Sequence, residues 1–199
     1  MMRGIEAERK RIHLAVLVIP LAAWLGLRQS VPFIRPALWL VFVLALALDL
    51  TRRRHAPFRV WIDGRVGHLI RPHETWHPLG STILFFSIAA VFLVFRPAVA
   101  LAASGFILVG DALAALVGSR YGRHRFGHGK SLEGSLACFA GCLLVGAAGA
   151  RLDPALRFPA WGAGAVVATL AESATPAGYD NLSVPVLAAV AMTVAGQAG

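Results

Sequence analysis

The sequence predicts an all-α, polytopic integral membrane protein, and three observations carry that prediction. Hydrophobic residues make up 57% of the chain against 15% charged, and the mean hydropathy is +0.68, far outside the composition of an ordinary soluble domain. The apolar residues gather into runs at about 12 to 27, 36 to 50, 79 to 95, 97 to 118, 132 to 150, 158 to 173 and 182 to 197, none with the period-2 alternation of a strand. The Lys and Arg residues fall between these runs. Residues 1–199 are therefore expected to form a single membrane domain with seven transmembrane helices. Six is the alternative count, because several runs are shorter than the roughly 20 residues a span normally needs.

The first run follows a charged head, MMRGIEAERKRIH, and no small-residue cleavage site closes it, so it is expected to be retained as the first span. The second run leads into the longest connection, 51 to 78. Pro57, Pro72 and Pro78 exclude one long helix there, while Trp61, Trp76 and the arginines suit a short interfacial helix near 57 to 70, anchored at the headgroup level. The fourth run, 97 to 118, carries Gly110, Ala114 and Gly118, with Gly122 beyond, at i+4 steps. This smooth stripe lets another helix approach closely. In the fifth run, Cys138 and Cys142 share one helix face and are assigned to packing.

Charge orients the spans. Arg3, Arg9, Lys10 and Arg11 precede the first run, six arginines lie in 51 to 78, and Arg120, Arg123, Arg125 and Lys130 lie in 119 to 131. Fourteen of the 19 cations thus occupy alternate connections, which makes those connections and the N-terminus cytosolic. Residues not used to build this topology sort the same way: nine of ten carboxylates, all but Asp153, and all seven histidines lie on or near that side. A formal charge of +9 raises the question of nucleic acid, but no basic helix, zinc spacing or aromatic-basic RNA motif is present, and no nucleic-acid partner is expected.

The chemistry concentrates between Gly110 and Gly134. Asp111 stands within an apolar run, about two turns from its cytosolic end, and an ionisable group at that depth is a functional-site hypothesis; a structural ion pair with an arginine is the alternative. The connection that follows, SRYGRHRFGHGKSLEG, is basic and glycine-rich. Its GHGKS resembles a Walker A loop, but His124 stands where that motif needs glycine and no strand precedes it, so a P-loop NTPase is excluded. Gly127 and Gly129 still permit tight backbone geometry, Lys130 supplies a point charge, and Ser131 is a good N-cap for a helix from Leu132. Together they suit a phosphate group at a helix N-terminus. Arg120, Arg123 and Arg125 serve either topology or phosphate contact. Glu133, Glu172, Asp180 and Asn181 lie at the cytosolic helix ends, where carboxylates with an amide suit Mg2+ and capping is the plainer role.

In order and content these pieces resemble the CTP-dependent lipid alcohol kinases: dolichol kinase, phytol kinase and the yeast-type diacylglycerol kinase. The matching residues are Glu6, Arg9, Lys10 and His13, then Gly110, Asp111, Ala114, Gly118, Gly122, Gly129, Lys130, Ser131, Glu133 and Gly134, then Glu172, Asp180, Asn181 and Pro185. The central block is specific, and the connection 51 to 78 contributes little. The resemblance implies transfer of the γ-phosphoryl group of a nucleotide, CTP, to the hydroxyl of a prenol or diacylglycerol, with Mg2+, at the cytosolic face of a membrane. It implies Asp111 and Asp180 as Mg2+ ligands or as the base, with Glu172 as a further metal ligand, and Lys130 with the Gly127 to Ser131 backbone as a phosphate cradle. Glu133 and Asn181 would complete the shell, Arg120 or Arg123 would neutralise charge, and Arg9, Lys10 and His13 would border the site. Phosphatidate cytidylyltransferases share D-x-x-A-x-x-x-G-x-x-x-G, but HGKSLEG and DNLSVP here depart from their later motifs. A small ion-coupled transporter is the alternative from another class, and no internal repeat supports it.

Overall fold

The computed structural model describes residues 2–29, 32–75, 77–176 and 178–197; the side chains at 2–7, 10, 72 and 73 lie outside that description, and with them Glu6 and Lys10 of the N-terminal motif, as does Trp76. The described chain is all-helical, with one isolated bridge, Arg125 to Ser131, and no strand. Ten α-helices follow in order: α1 Met2–Ala15, α2 Val18–Arg28, α3 Ile34–Arg54, α4 Ala56–Val66, α5 Gly80–Val94, α6 Pro97–Gly105, α7 Asp111–Tyr121, α8 Leu132–Leu152, α9 Phe158–Ala174 and α10 Asp180–Gln197.

Each apolar run of the sequence becomes a helix or a near-continuous pair of helices. Among the described residues, four rods are long and apolar enough to cross a membrane: Arg11–Arg28, Ile34–Arg54, Pro97–Tyr121 and Leu132–Leu152. The first is interrupted at Val16 and Leu17, between α1 and α2. Pro20 explains the break, since it brings no N–H and its ring crowds the carbonyl of Val16 four residues back. Proline also opens α6 and sits in the first turn of α9, where a missing N–H costs nothing.

The rod Pro97–Tyr121 is the centre of the bundle. Of its most apolar window 78% is buried inside the protein, against 11% for α3 and 17% for the α1–α2 rod, whose outer faces present Leu25, Leu40, Val43 and Leu44. Phe106, Ile107 and Leu108 are fully enclosed beside Phe92 of α5, Ala165 and Ala168 of α9, and Ala188, Ala189 and Met192 of α10. The rod is not uniform: Phe106–Gly110 form a π turn between α6 and α7. Such a widened turn offsets the faces of the helices on either side, and here it falls immediately before Asp111.

The small-residue stripe packs α7 onto α8. A Cβ on Gly110 would meet Cys142 Sγ at 2.8 Å and Cys138 Sγ at 3.0 Å, and one on Gly134 would meet the Ala114 carbonyl oxygen at 2.9 Å. Cys138 and Cys142 are buried, unpaired thiols filling that interface, as their spacing predicted. The connection 51 to 78 holds α4, where Phe58 stacks on Trp61 and the Arg65 guanidinium lies 4.0 Å from the Trp61 ring. Val60 and Trp61 are exposed, as an interfacial helix requires.

Candidate functional site

The helix ends that carry most of the carboxylates converge on one end of the bundle and enclose two neighbouring cavities. The first, of about 410 Å3, is bounded by α1, α3, α4, α5 and the strap of residues 67–79 that joins α4 to α5. Its walls are largely apolar: Ile12, Leu48, Ile62, Val66, Leu69 and Phe85. Leu48 and Ile12 on this wall are half-exposed or more, so the cavity is open and not sealed within the bundle. The second, of about 330 Å3, is polar and lies between α7, the loop after it, and the facing ends of α8, α9 and α10. Among the described residues, Arg71, Asp111 and Asp180 line both.

The loop shapes the polar cavity. Phe126 N–H donates to the Lys130 carbonyl and Leu132 N–H to the His124 carbonyl, which folds residues 124 to 132 back on themselves. The reversal needs left-handed backbone at two consecutive residues, His128 at φ 60° and Gly129 at φ 73°. Glycine meets the second requirement without strain. Ser131 then caps α8, its Oγ accepting from Gly134 N–H at 3.2 Å, so the cavity faces the start of a 21-residue helix. Gly129, Lys130 and Ser131 line the cavity and Gly127 stands outside it. Of the loop's arginines the one on the wall is Arg125, which donates to the Gly129 carbonyl at 3.1 Å. Arg120 packs against Tyr121, and Arg123 uses its backbone N–H on Glu133; neither borders a cavity.

Lys130 is the electrostatic centre. Its ammonium pairs with Glu172 at the end of α9 and lies 3.5 Å from Asp180 Oδ2 at the start of α10. Burial works against its charge, but Glu172 and Asp180, with Asp111 further off, outweigh burial and hold the lysine above its ordinary pKa. Asp180 is fixed by backbone: Oδ1 accepts from Gly178 N–H at 2.8 Å and Asn181 N–H at 3.0 Å. Asn181 donates to the Gly80 carbonyl at 2.9 Å, which ties α10 to α5. Asp111 is buried and meets His13 of α1, with Nδ1 3.6 Å from Oδ2; Arg9 lies on the same cavity wall. His13 and Asp111 are thus brought together from the first and the central blocks of the motif series.

Glu133 is placed differently from the shell role expected of it. Its carboxylate accepts from the N–H groups of Arg123 and His124 and meets His124 Nδ1 at 2.8 Å, clasping the loop to α8 from outside both cavities. The strap 67–79, in turn, supplies more than a membrane anchor. Glu74 is 3% exposed and accepts from Arg71 N–H at 2.8 Å and Gly80 N–H at 3.0 Å, and Arg71 Nη1 stands 3.8 Å from it. Arg52 bonds the Glu74 carbonyl at 2.7 Å and Asp49 at 3.1 Å, while Asp49 accepts from Leu79 N–H. Asp49 with Arg52 and Arg71 with Glu74 are local pairs three residues apart, but the contacts that join the two pairs, from Arg52 to the Glu74 carbonyl and from Leu79 N–H to Asp49, cross between elements, and no spacing signals them.

The donors suit a hard cation. No three His, Cys, Asp or Glu side chains among the described residues form a ready-made cage, yet Mg2+ commonly takes only one or two carboxylates and completes its shell with phosphate oxygens and water. Glu172 Oε2 and Asn181 Oδ1 are buried without a hydrogen-bond partner, beside Asp180. Such orphaned oxygens are costly unless something occupies them. No protein-family model, curated protein or solved structure matches this chain.

Proposed function

We propose that this chain is an integral membrane kinase that moves the γ-phosphoryl group of a nucleotide, CTP by its resemblance, onto the hydroxyl of a lipid alcohol. The observation that carries the reading is the pair of cavities, one largely apolar and open, one polar and built on a glycine-lysine loop, that meet at Asp111, Asp180 and Arg71. A lipid alcohol needs the first and a nucleoside triphosphate the second. On this reading seven spans cross the membrane, formed by the α1–α2 rod, α3, α5, the α6–α7 rod, α8, α9 and α10, and the N-terminus and both cavities face the cytosol.

The lipid tail lies among Ile12, Leu48, Ile62 and Phe85 with its hydroxyl toward Asp111. Lys130, Arg125 and the N-terminus of α8 hold the phosphates. The hydroxyl oxygen attacks the γ-phosphorus, its proton passes to the Asp111 carboxylate, and the bond from phosphorus to the β,γ-bridging oxygen breaks with its electron pair leaving on the nucleoside diphosphate. Asp180 and Glu172 would hold Mg2+, which when bound neutralises phosphate charge. His13 orients Asp111, and Asn181 keeps α10 in register with α5. Phosphoryl transfer asks for little beyond such positioning and charge neutralisation.

The test is purified protein with Mg2+, a panel of phytol, polyprenol, diacylglycerol and phosphatidate, and CTP labelled at the α or the γ phosphate. γ label in lipid is the expected result. α label in lipid assigns cytidylyl transfer instead, and no label in lipid removes both enzymes and favours a transporter. Asp111→Asn is expected to abolish transfer with the fold intact.

A further inference from the structure

Among the described residues, the one Lys or Arg that lines both cavities is not in the loop from which phosphate contacts were expected. Lys130 and Arg125 line only the polar cavity, whereas Arg71 lines both, together with the carboxylates Asp111 and Asp180. A phosphoryl group in transit carries negative charge on three equatorial oxygens and would pass between those two carboxylates. Lys130, 3.5 Å from Asp180, offsets that repulsion from the polar side, and Arg71 is placed to offset it where the two cavities meet.

We propose that Arg71 is a catalytic residue, its guanidinium contacting the phosphoryl group as it moves from nucleotide to lipid hydroxyl; this rests on the kinase reading above. The strap is built to present it. Glu74 grips the Arg71 backbone N–H at 2.8 Å and approaches its guanidinium at 3.8 Å, and Glu74 is in turn fixed by Gly80 N–H and, through its carbonyl, by Arg52. Arg52 is held by Asp49, which also takes Leu79 N–H. Asp49, Arg52 and Glu74 are 1%, 3% and 3% exposed. Buried ion pairs seldom add net stability over an apolar core, so three such groups closing one short strap are better explained by the geometry they impose. Arg71 is then the analogue in cis of the arginine that a phosphoryl-transfer enzyme inserts beside its nucleotide, and Glu74 is a positioning residue that aims it.

The experiment compares wild type, Arg71→Ala, Arg71→Lys and, as a surface control, Arg65→Ala. Arg71→Ala is expected to lower kcat about 1,000-fold, with thermal stability in detergent close to wild type and with partial recovery in millimolar guanidinium. Arg71→Lys should fall between, because a point charge replaces a two-pronged donor, and Arg65→Ala should transfer at the wild-type rate. Wild-type turnover by Arg71→Ala overturns the proposal. So does lost turnover that comes with a lowered unfolding temperature and no guanidinium recovery, which would make Arg71 structural. A second arm needs no lipid and no turnover: tripolyphosphate should bind wild type about tenfold more tightly than Arg71→Ala, and equal binding overturns the proposal. A wild type that labels no lipid but shows the tenfold difference would sink the kinase reading and leave the arginine's anion contact standing.

Discussion

Lys130 and Glu172, 42 residues apart in sequence, meet as an ion pair in the polar cavity, joining the loop before α8 to the end of α9. Asp180 of α10 stands on the other side of the same ammonium. One side chain thus locks three elements, and removing it strands two carboxylates that are 2% and 6% exposed. Lys130→Met is expected to cost about 3 kcal/mol, near the low end for breaking a buried pair, and on the kinase proposal to lose nucleotide binding. Thermal unfolding in detergent checks it. The double variant Lys130→Met/Glu172→Gln should recover part of that stability and none of the transfer.

The same lysine gives a pH signature. Its folded-state pKa lies above the ordinary 10.5 because Glu172 and Asp180 outweigh burial, so folding favours the charged form. The stabilisation is fully present below 10.5 and is lost as pH rises through the folded value. The gap in unfolding temperature between wild type and Lys130→Met should therefore be constant from pH 7 to pH 10 and close only in stronger alkali. A gap that closes between pH 7 and pH 9 would show that the ammonium is not held as described.

Close packing of α7 on α8 makes a third prediction. A methyl at Gly134 would lie 2.9 Å from the Ala114 carbonyl oxygen, backbone that moves only if the helices part. Gly134→Ala should cost about 1–3 kcal/mol and enlarge the cavity that both helices border. At Gly127 a methyl meets nothing within 4 Å and the backbone is not left-handed. Gly127→Ala is expected to be neutral or slightly stabilising. Unfolding temperatures of the two variants, measured side by side, separate a packing glycine from a loop glycine.

The helices were legible because desolvation acts locally: a run of apolar residues marks its own helix, and all seven runs reappear as helices, six with ends within a few residues and the first extended back to Met2. Asp111, Lys130, Ser131, Glu172, Asp180 and Asn181 were legible because each combines a polar type with an apolar neighbourhood or a helix end, and these residues do gather at one end of the bundle. Three features were not. The break at Val16, though Pro20 causes it, falls inside an apolar run that reads as one span, and the π turn before Asp111 depends on backbone hydrogen bonding that no residue type announces. Arg71 and Glu74 sit in a segment whose arginines and tryptophans already had a sufficient explanation at the membrane surface, and their buried network is made with Asp49, Arg52 and Gly80 from other elements.

Glu133 and Asp180 provide the last contrast, because the sequence offered both as acids of one site and the structure separates them. Glu133 spends its oxygens on Arg123 N–H, His124 N–H and the His124 ring, outside both cavities. Asp180 keeps Oδ2 toward Lys130 and borders both cavities. Removing the charge of Glu133 weakens three charge-assisted contacts and loosens the loop, so on the kinase proposal Glu133→Gln should raise the nucleotide KM about tenfold while kcat changes little. Asp180→Asn should instead lower kcat by two or more orders of magnitude, about what a group touching the reacting phosphate is worth. Steady-state kinetics over nucleotide concentration decide it: a collapse of kcat in Glu133→Gln with unchanged KM would return Glu133 to the reacting centre.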